Sequence, residues 1–480
     1  MIYSLLSGAL VALSMPGLPF HILVWFSLIP LFEELSGSKP LSGGLKGFVF
    51  FSTAFLISHF WILSTMTTNF PKFAGFSPSA GFLAFVLLVV YQGIFYFPFG
   101  LFGSLLSKKN PYLVYPALYA FTEFLRKSGQ MGFTGARLSD ALFSEPHLVI
   151  VSSVVGDIGL SMIIVAVNVF IWNLLKRREL CKVLVVLLLI YLPWQFFPDN
   201  FRNPSEDKMM SVYIYQTNEK PEEKYSENVK ERLKKLPKTD NLLITPEAYI
   251  TTFLKRPVHL DYPVLLGTLY FDGYNRYNSA LLIANGETDQ RYDKVRLFPF
   301  AEFLPYPKIF GFLKFLKGFA YYTPGKRYHL LDYKGKKIGV LICFESYFDD
   351  GAVEYSKGSD FIVVMTNDVW FKYKMALWNH FAKSVFRATE SGRWVVQVAN
   401  KGITGVVDSF GRIRFTLKIG KEELKKTWVG KPHPTIYPKI RNFLILIPIA
   451  LLILGIFSDY QEPYLSNRSV YSRFHQRPFL

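Results

Sequence analysis

Apolar residues are concentrated in one part of this chain. Strongly apolar runs cover residues 2–14, 19–34, 45–67, 81–106, 112–125, 147–175 and 182–197, and one more covers 440–457. Between them, 199–439 has the mixed composition of a soluble domain. A helical crossing of a bilayer takes about 20 apolar residues. The pattern therefore fits about eight spans, of which the first two, the fifth and the seventh are short. The expected organisation is seven spans within 1–198, an extramembrane domain over 199–439, and an eighth span with its tail in 440–480. A cleaved leader is disfavoured, because no basic stretch precedes the first run.

Charge between the runs sets an expected orientation. Lys39 and Lys46, Lys108 and Lys109, and Lys176, Arg177, Arg178 and Lys182 precede the third, fifth and seventh runs, and Arg468, Arg473 and Arg477 lie in the tail. The alternate loops carry Lys72, then Arg126, Lys127 and Arg137. The richer set belongs on the cytoplasmic side, which puts 199–439 outside. That segment holds 38 Lys and Arg against 27 Asp and Glu. A basic domain beside a bilayer suits anionic head groups, and no nucleic-acid-binding motif accompanies the charge. Glu123, within an apolar run, is expected near the outer interface, paired with Arg126 or Lys127 at helical spacing.

The 199–439 segment alternates strand and helix patterns. Residues 211–215, 241–245, 263–269, 279–284, 337–343, 360–366, 394–399 and 404–408 read as strands, and 221–236 and 376–392 as helices. Such alternation indicates an α/β domain with a mixed sheet. Residues 303–325 form an aromatic stretch without clear periodicity, fitting either ordinary packing or a lid against lipid.

Three strand ends offer chemistry. Glu247 follows Leu242-Leu-Ile-Thr-Pro, Lys294 follows Tyr292-Asp, and Cys343 ends Gly339-Val-Leu-Ile. Cys343 is one of two cysteines; the other, Cys181, lies in a basic loop between apolar runs. On opposite membrane faces the two have no disulfide to form. A thiol is a few per cent thiolate at neutral pH, so a nucleophilic cysteine needs a base such as Glu247. An ammonium such as Lys294, or the Phe344 N–H, suits the oxyanion of a tetrahedral intermediate. Taken singly, a buried cysteine is more often inert packing; the case rests on the three occurring jointly. No cluster has metal-ligand spacing, and no glycine-rich phosphate loop follows a strand.

The segments Ile244-Thr-Pro-Glu247, Tyr292-Asp-Lys294, Ile342-Cys343-Phe344-Glu345 and Thr366-Asn367-Asp368-Val-Trp370-Phe resemble the carbon–nitrogen hydrolase (nitrilase) superfamily. Leu297-Phe-Pro-Phe-Ala-Glu302-Phe-Leu-Pro, Trp378-Asn-His380-Phe-Ala, Arg387-Ala-Thr-Glu390-Ser-Gly-Arg393 and Asn400-Lys-Gly402-Ile-Thr-Gly narrow the resemblance to bacterial apolipoprotein N-acyltransferases. It implies an integral membrane α-helical bundle of about eight spans carrying an αββα nitrilase-like sandwich on the outer face of the cytoplasmic (inner) membrane. It also implies roles. Glu247 is the base, Cys343 the nucleophile and Lys294 the oxyanion partner, supported by Glu302, Glu345 and Phe344. Tyr225, Asn367, Trp370 and His380 are candidates for substrate contact or for bracing the site. The implied partners are a phospholipid acyl donor, a diacylated apolipoprotein acceptor and the bilayer, with no cofactor. The sequence departs from the family pattern at Phe344 in place of Tyr, at Lys372 and Lys401 in place of Gly and Asn, and at Tyr225 in place of Trp. A membrane-tethered amidase that passes the acyl group to water, or an inactive scaffold, are the competing expectations.

Overall fold

A computed structural model describes residues 1–69, 71–72, 77–196, 208–220, 228–284, 286, 288–311 and 322–458. The N-terminal part is helical: α1 (Ile2–Ser14), α2 (Pro40–Ser58), α3 (Pro78–Ile94), α4 (Tyr96–Leu105), α5 (Pro111–Lys127), α6 (Ser152–Lys176) and α7 (Leu180–Phe196). Among the described residues, three helices are long and apolar enough to cross a membrane: Pro40–Ser58, Pro78–Leu105 and Ser152–Lys176. A fourth is reached if Tyr437–Phe443 and Leu446–Phe457, bent by 46°, count as one span. By length and composition the structure thus supports fewer crossings than eight. The run 19–34 is not one helix but a 3-10 turn, His21–Trp25, followed by the short helix Ile29–Ser36. Helices α2 and α4 pack at backbone distance. A Cβ on Gly47 would meet Tyr96 O at 2.2 Å, and one on Gly100 would meet Gly43 O at 2.1 Å, so small residues are required at this crossing.

The soluble part holds β1 (Lys208–Gln216), β2 (Leu243–Ile244), β3 (Ile250–Leu254), β4 (Val264–Phe271), β5 (Arg276–Ile283), β6 (Thr288–Asp293), β7 (Leu330–Tyr333), β8 (Lys336–Ile342), β9 (Phe361–Asn367), β10 (Trp394–Asn400), β11 (Gly405–Val407), β12 (Ile413–Thr416) and β13 (Glu423–Gly430), with α8 (Lys374–Ser391) between β9 and β10. One sheet runs β13-β1-β2-β4-β5-β6, with β3 on β4; the other runs β12-β11-β10-β9-β8-β7. Alternation along each strand builds the layers. Val340 and Ile342 of β8 point inward with Val363 of β9 and meet Val212, Ile214 and Leu282 of the facing sheet. Leu341, Ile362 and Val364 point the other way, against Phe381 and Val385 of α8. Leu243, Leu266 and Leu281 cover the opposite outer face beside Leu233 of the helix Val229–Lys234. The order is helix, sheet, sheet, helix. The α8 side shares one continuous apolar core with the membrane helices.

Both sheets contain parallel neighbours: β1-β2-β4 in one, β8-β9-β10 in the other. Parallel strands finish at the same edge, and the edge at their carboxyl ends is where α/β sheets place their chemistry.

Candidate active site

Cys343 begins where β8 stops. It opens a 3-10 turn, Cys343–Tyr347, and has a left-handed backbone, φ +51°. A non-glycine residue pays about 1–2 kcal/mol for that conformation, and such strain collects at functional positions. The turn is held by Glu345. Its carboxylate accepts from the N–H groups of Ile342 (2.7 Å), Val295 (2.7 Å) and Arg296 (3.1 Å), and from the Tyr292 hydroxyl (2.9 Å). One buried side chain therefore ties the Cys343 turn to the segment carrying Lys294.

Lys294, just past β6, is buried. Its Nζ donates to Glu302 at 2.9 Å and lies 3.6 Å from Glu247 Oε1. Burial disfavours the ammonium, but Glu302 and Glu247 outweigh it and hold the pKa above the ordinary lysine range. Lys294 is thus a fixed positive charge at neutral pH. Glu247, three residues past β2, accepts from Asn278 Nδ2 at 2.8 Å and from the Asn367 N–H at 2.9 Å. Asn278 also reaches Glu302 at 3.2 Å. Sequence reasoning missed Asn278. The available signal was an amide in the first half of a strand whose following residues are all buried.

The Cys343 thiol lies within electrostatic reach of this pair. Burial pushes its pKa well above the ordinary thiol range, Glu247 adds to that, and Lys294 pulls it back. The resting sulfur is accordingly a neutral thiol, and attack needs its proton removed by a neighbour. A carboxylate, an ammonium and a thiol converge here in the arrangement that acyl transfer through a covalent enzyme intermediate requires.

The remaining candidates take different places. Phe344 is buried, packing on Phe298 at 4.7 Å and Phe348 at 5.1 Å between ring centroids. Asn367 braces: its N–H serves Glu247, and its side-chain oxygen accepts from Asn400 at 2.9 Å. Trp370 ties the loop to the membrane helices, its carbonyl accepting from Thr65 Oγ1 (3.0 Å) and Asn69 Nδ2 (2.8 Å). His380 does not fit an expected substrate contact, because its ring is enclosed and both nitrogens face protein acceptors behind the nucleophile. Tyr225, the tail arginines and residues 312–321 of the aromatic stretch lie outside the described residues. Glu123 is fully enclosed. It pairs with Arg126 (2.5 Å) as its spacing suggests, and also with Arg137 (2.8 Å), while Lys127 turns to Asp349 (2.7 Å). Among the described residues, no group of three His, Cys, Asp or Glu side chains is placed to hold a metal ion.

Comparison with known proteins covers both parts of the chain. Residues 7–170 match the apolipoprotein N-acyltransferase N-terminal domain, and 231–424 match the carbon-nitrogen hydrolase family. The chain is 36% identical over 476 residues to an apolipoprotein N-acyltransferase of Thermotoga maritima, spanning 95% of this chain and 92% of that protein. It is 28% identical to that of Geobacter metallireducens, over 86% of this chain and 85% of the relative. It is 26% identical to apolipoprotein N-acyltransferase 2 of Treponema denticola, over 92% and 95% of the two chains. The likeness runs through the apolar helices and the two-sheet domain alike, and the chain belongs to the apolipoprotein N-acyltransferases, membrane proteins whose catalytic domain has the carbon-nitrogen hydrolase fold.

Proposed function

We propose that this enzyme moves an acyl chain from a phospholipid to the N-terminal amine of a diacylglyceryl-modified apolipoprotein, through a thioester on Cys343. In the first half-reaction Cys343 Sγ attacks the ester carbonyl carbon while Glu247 takes the thiol proton. The oxyanion forms beside the Lys294 ammonium. On collapse the carbon–oxygen bond to glycerol breaks, and Glu247 returns the proton to the departing alkoxide, releasing a lysophospholipid. In the second half-reaction the acceptor amine attacks the thioester carbon and Glu247 takes its proton. The carbon–sulfur bond breaks, and the thiolate recovers a proton from Glu247. The residues used are Glu247, Lys294 and Cys343, positioned by Glu302 and Glu345. Each substrate occupies the same thiol in turn, so the kinetics are ping-pong.

The observation that carries this reading is the Lys294 ammonium shared between Glu302 and Glu247 beside a left-handed cysteine. We place domain boundaries at 1–198, 199–439 and 440–480, with the shorter apolar helices completing an eight-span base in the inner membrane. The catalytic domain then faces away from the cytoplasm, and the sheet edge carrying Cys343 stands next to lipid. Support comes from the apolar core that α8 shares with the membrane helices.

The test is a two-substrate assay in nanodiscs with chain-labelled phospholipid and a synthetic diacylated lipopeptide. The label is expected on the lipopeptide amine in step with lysophospholipid release. Label recovered only as free fatty acid, with the lipopeptide unchanged, would instead establish the hydrolase reading.

A further inference from the structure

The Cys343 carbonyl oxygen is an acceptor that the chemistry above does not use. It accepts from Ser346 Oγ at 2.9 Å and lies 3.3 Å from His380 Nε2. The other ring nitrogen, Nδ1, lies 2.8 Å from Asp368 Oδ1. A carbonyl and an ionised carboxylate are both pure acceptors. For both contacts to be hydrogen bonds, both ring nitrogens must carry hydrogen, which is the imidazolium. The Thr366 hydroxyl donates its own proton to Asp368 Oδ1 at 2.7 Å, so it does not supply one to the ring.

Neighbouring carbonyls are secured from the same side. Arg387, two turns along α8 from His380, donates to Ser346 O at 3.2 Å, and Thr134 donates to Tyr347 O at 2.7 Å. The α8 groups are anchored in the membrane base: Lys383 on Asp140 at 2.6 Å, Arg387 on Asp157 at 3.0 Å. The left-handed turn is thus held by donors on its outer side, and His380 is the α8 group that reaches the Cys343 carbonyl, beside Ser346 Oγ from within the turn.

We propose that His380, protonated and oriented by Asp368, is a positioning residue that grips the Cys343 carbonyl and so aims Sγ for acyl transfer. The proposal rests on the acyl-transfer reading above. Its pH consequence follows from the groups around the ring. Asp368 and Glu247 favour the cation, Cys343 presents its carbonyl, and the Tyr347 ring lies 5.5 Å away between centroids. Lys383 on the same helix is engaged by Asp140. Burial lowers the pKa of the ring, Asp368 more than restores it, and the net shift is upward. Acylation therefore falls on the alkaline side as His380 loses its proton.

The experiment compares wild type with His380→Ala, His380→Gln and Asp368→Asn for the rate of Cys343 acylation from phospholipid across pH. Iodoacetamide labelling of Cys343, resolved by peptide mass from Cys181, runs in parallel. His380→Ala should acylate about ten- to a hundredfold more slowly. His380→Gln, whose amide donates to the same carbonyl without titrating, should recover most of the rate and lose the alkaline limb. Asp368→Asn, close to isosteric, should move that limb to lower pH. Equal rates for the Ala and Gln variants at matched melting temperature, or an unmoved limb in Asp368→Asn, would overturn the proposal. If wild type takes no acyl chain the parent reading fails. The labelling then decides alone: His380→Gln must track wild type at neutral pH while His380→Ala departs from it.

Discussion

The backbone N–H of Val295 donates to Glu345 Oε1 at 2.7 Å, joining the residue after Lys294 to the residue two past Cys343. This contact keeps Lys294 and Cys343, the proposed oxyanion partner and nucleophile, in one frame. Replacing Glu345 by Gln puts an N–H₂ among donors and should cost about 1–3 kcal/mol of stability. The pH dependence has a definite sign. Burial pushes the Glu345 carboxyl up from 4.5 to about 7, against the N–H groups that favour its anion. The folded protein therefore holds this proton more tightly than the unfolded chain. The associated stabilisation is complete below 4.5 and is lost as pH rises through about 7. The melting temperatures of wild type and Glu345→Gln should converge as pH is raised across that window.

Glu247 acts on Cys343 in two opposed ways under the proposed mechanism: its charge raises the thiol pKa, yet it is the group proposed to remove the proton. Glu247→Gln should separate them. Iodoacetamide labelling of Cys343 at neutral pH should speed up, because the thiolate becomes easier to form. Acylation by phospholipid should fall about a hundredfold or more. Both rates moving the same way would mean that Glu247 is not the base.

Lys294 and Glu302 should differ in severity. Lys294→Ala removes the ammonium that lies against Glu247 and Glu302. Acylation should drop about 10²–10³-fold. Glu302→Gln leaves the ammonium in place with Glu247 as its remaining carboxylate, so the loss should be smaller. Both losses are read from the rate of Cys343 acylation at neutral pH.

Gly402 is required by contact rather than by backbone angle. A Cβ there would lie 2.1 Å from Asp368 Oδ2. Gly402→Ala should push Asp368 off His380 and cost about 1–3 kcal/mol, measurable as a lower melting temperature together with slower acylation.

A short, nearly continuous apolar run made the central strand readable as a buried one, and strands β4, β5, β9 and β10 were legible for the same reason. The strands β3, β6, β7, β12 and β13 were not read: each has exposed or half-buried positions that weaken the apolar signal. Lys294 and Cys343 stood out because each directly follows its strand, and Glu247 because it lies three residues past one. The contacts that orient them did not. Asn278 meets Glu247 from 31 positions away, and Arg387 meets Asp157 across 230. Pairing at such separations leaves no periodic trace, so the Lys127–Asp349 and Arg137–Asp157 pairs were not legible, whereas Glu123–Arg126, on one helical turn, was. The apolar run 19–34 reads as one segment in composition, which does not register its division into the 3-10 turn His21–Trp25 and the helix Ile29–Ser36.

The central claim is that the acyl chain passes through Cys343. Purified enzyme in nanodiscs, incubated with phospholipid and no acceptor, then digested and analysed by mass spectrometry, reads this directly. The account predicts one acyl chain on the Cys343 peptide, labile to hydroxylamine, absent in Cys343→Ala and discharged on adding a diacylated lipopeptide. Transfer to the lipopeptide with no adduct at Cys343, or undiminished transfer by Cys343→Ala, would contradict it.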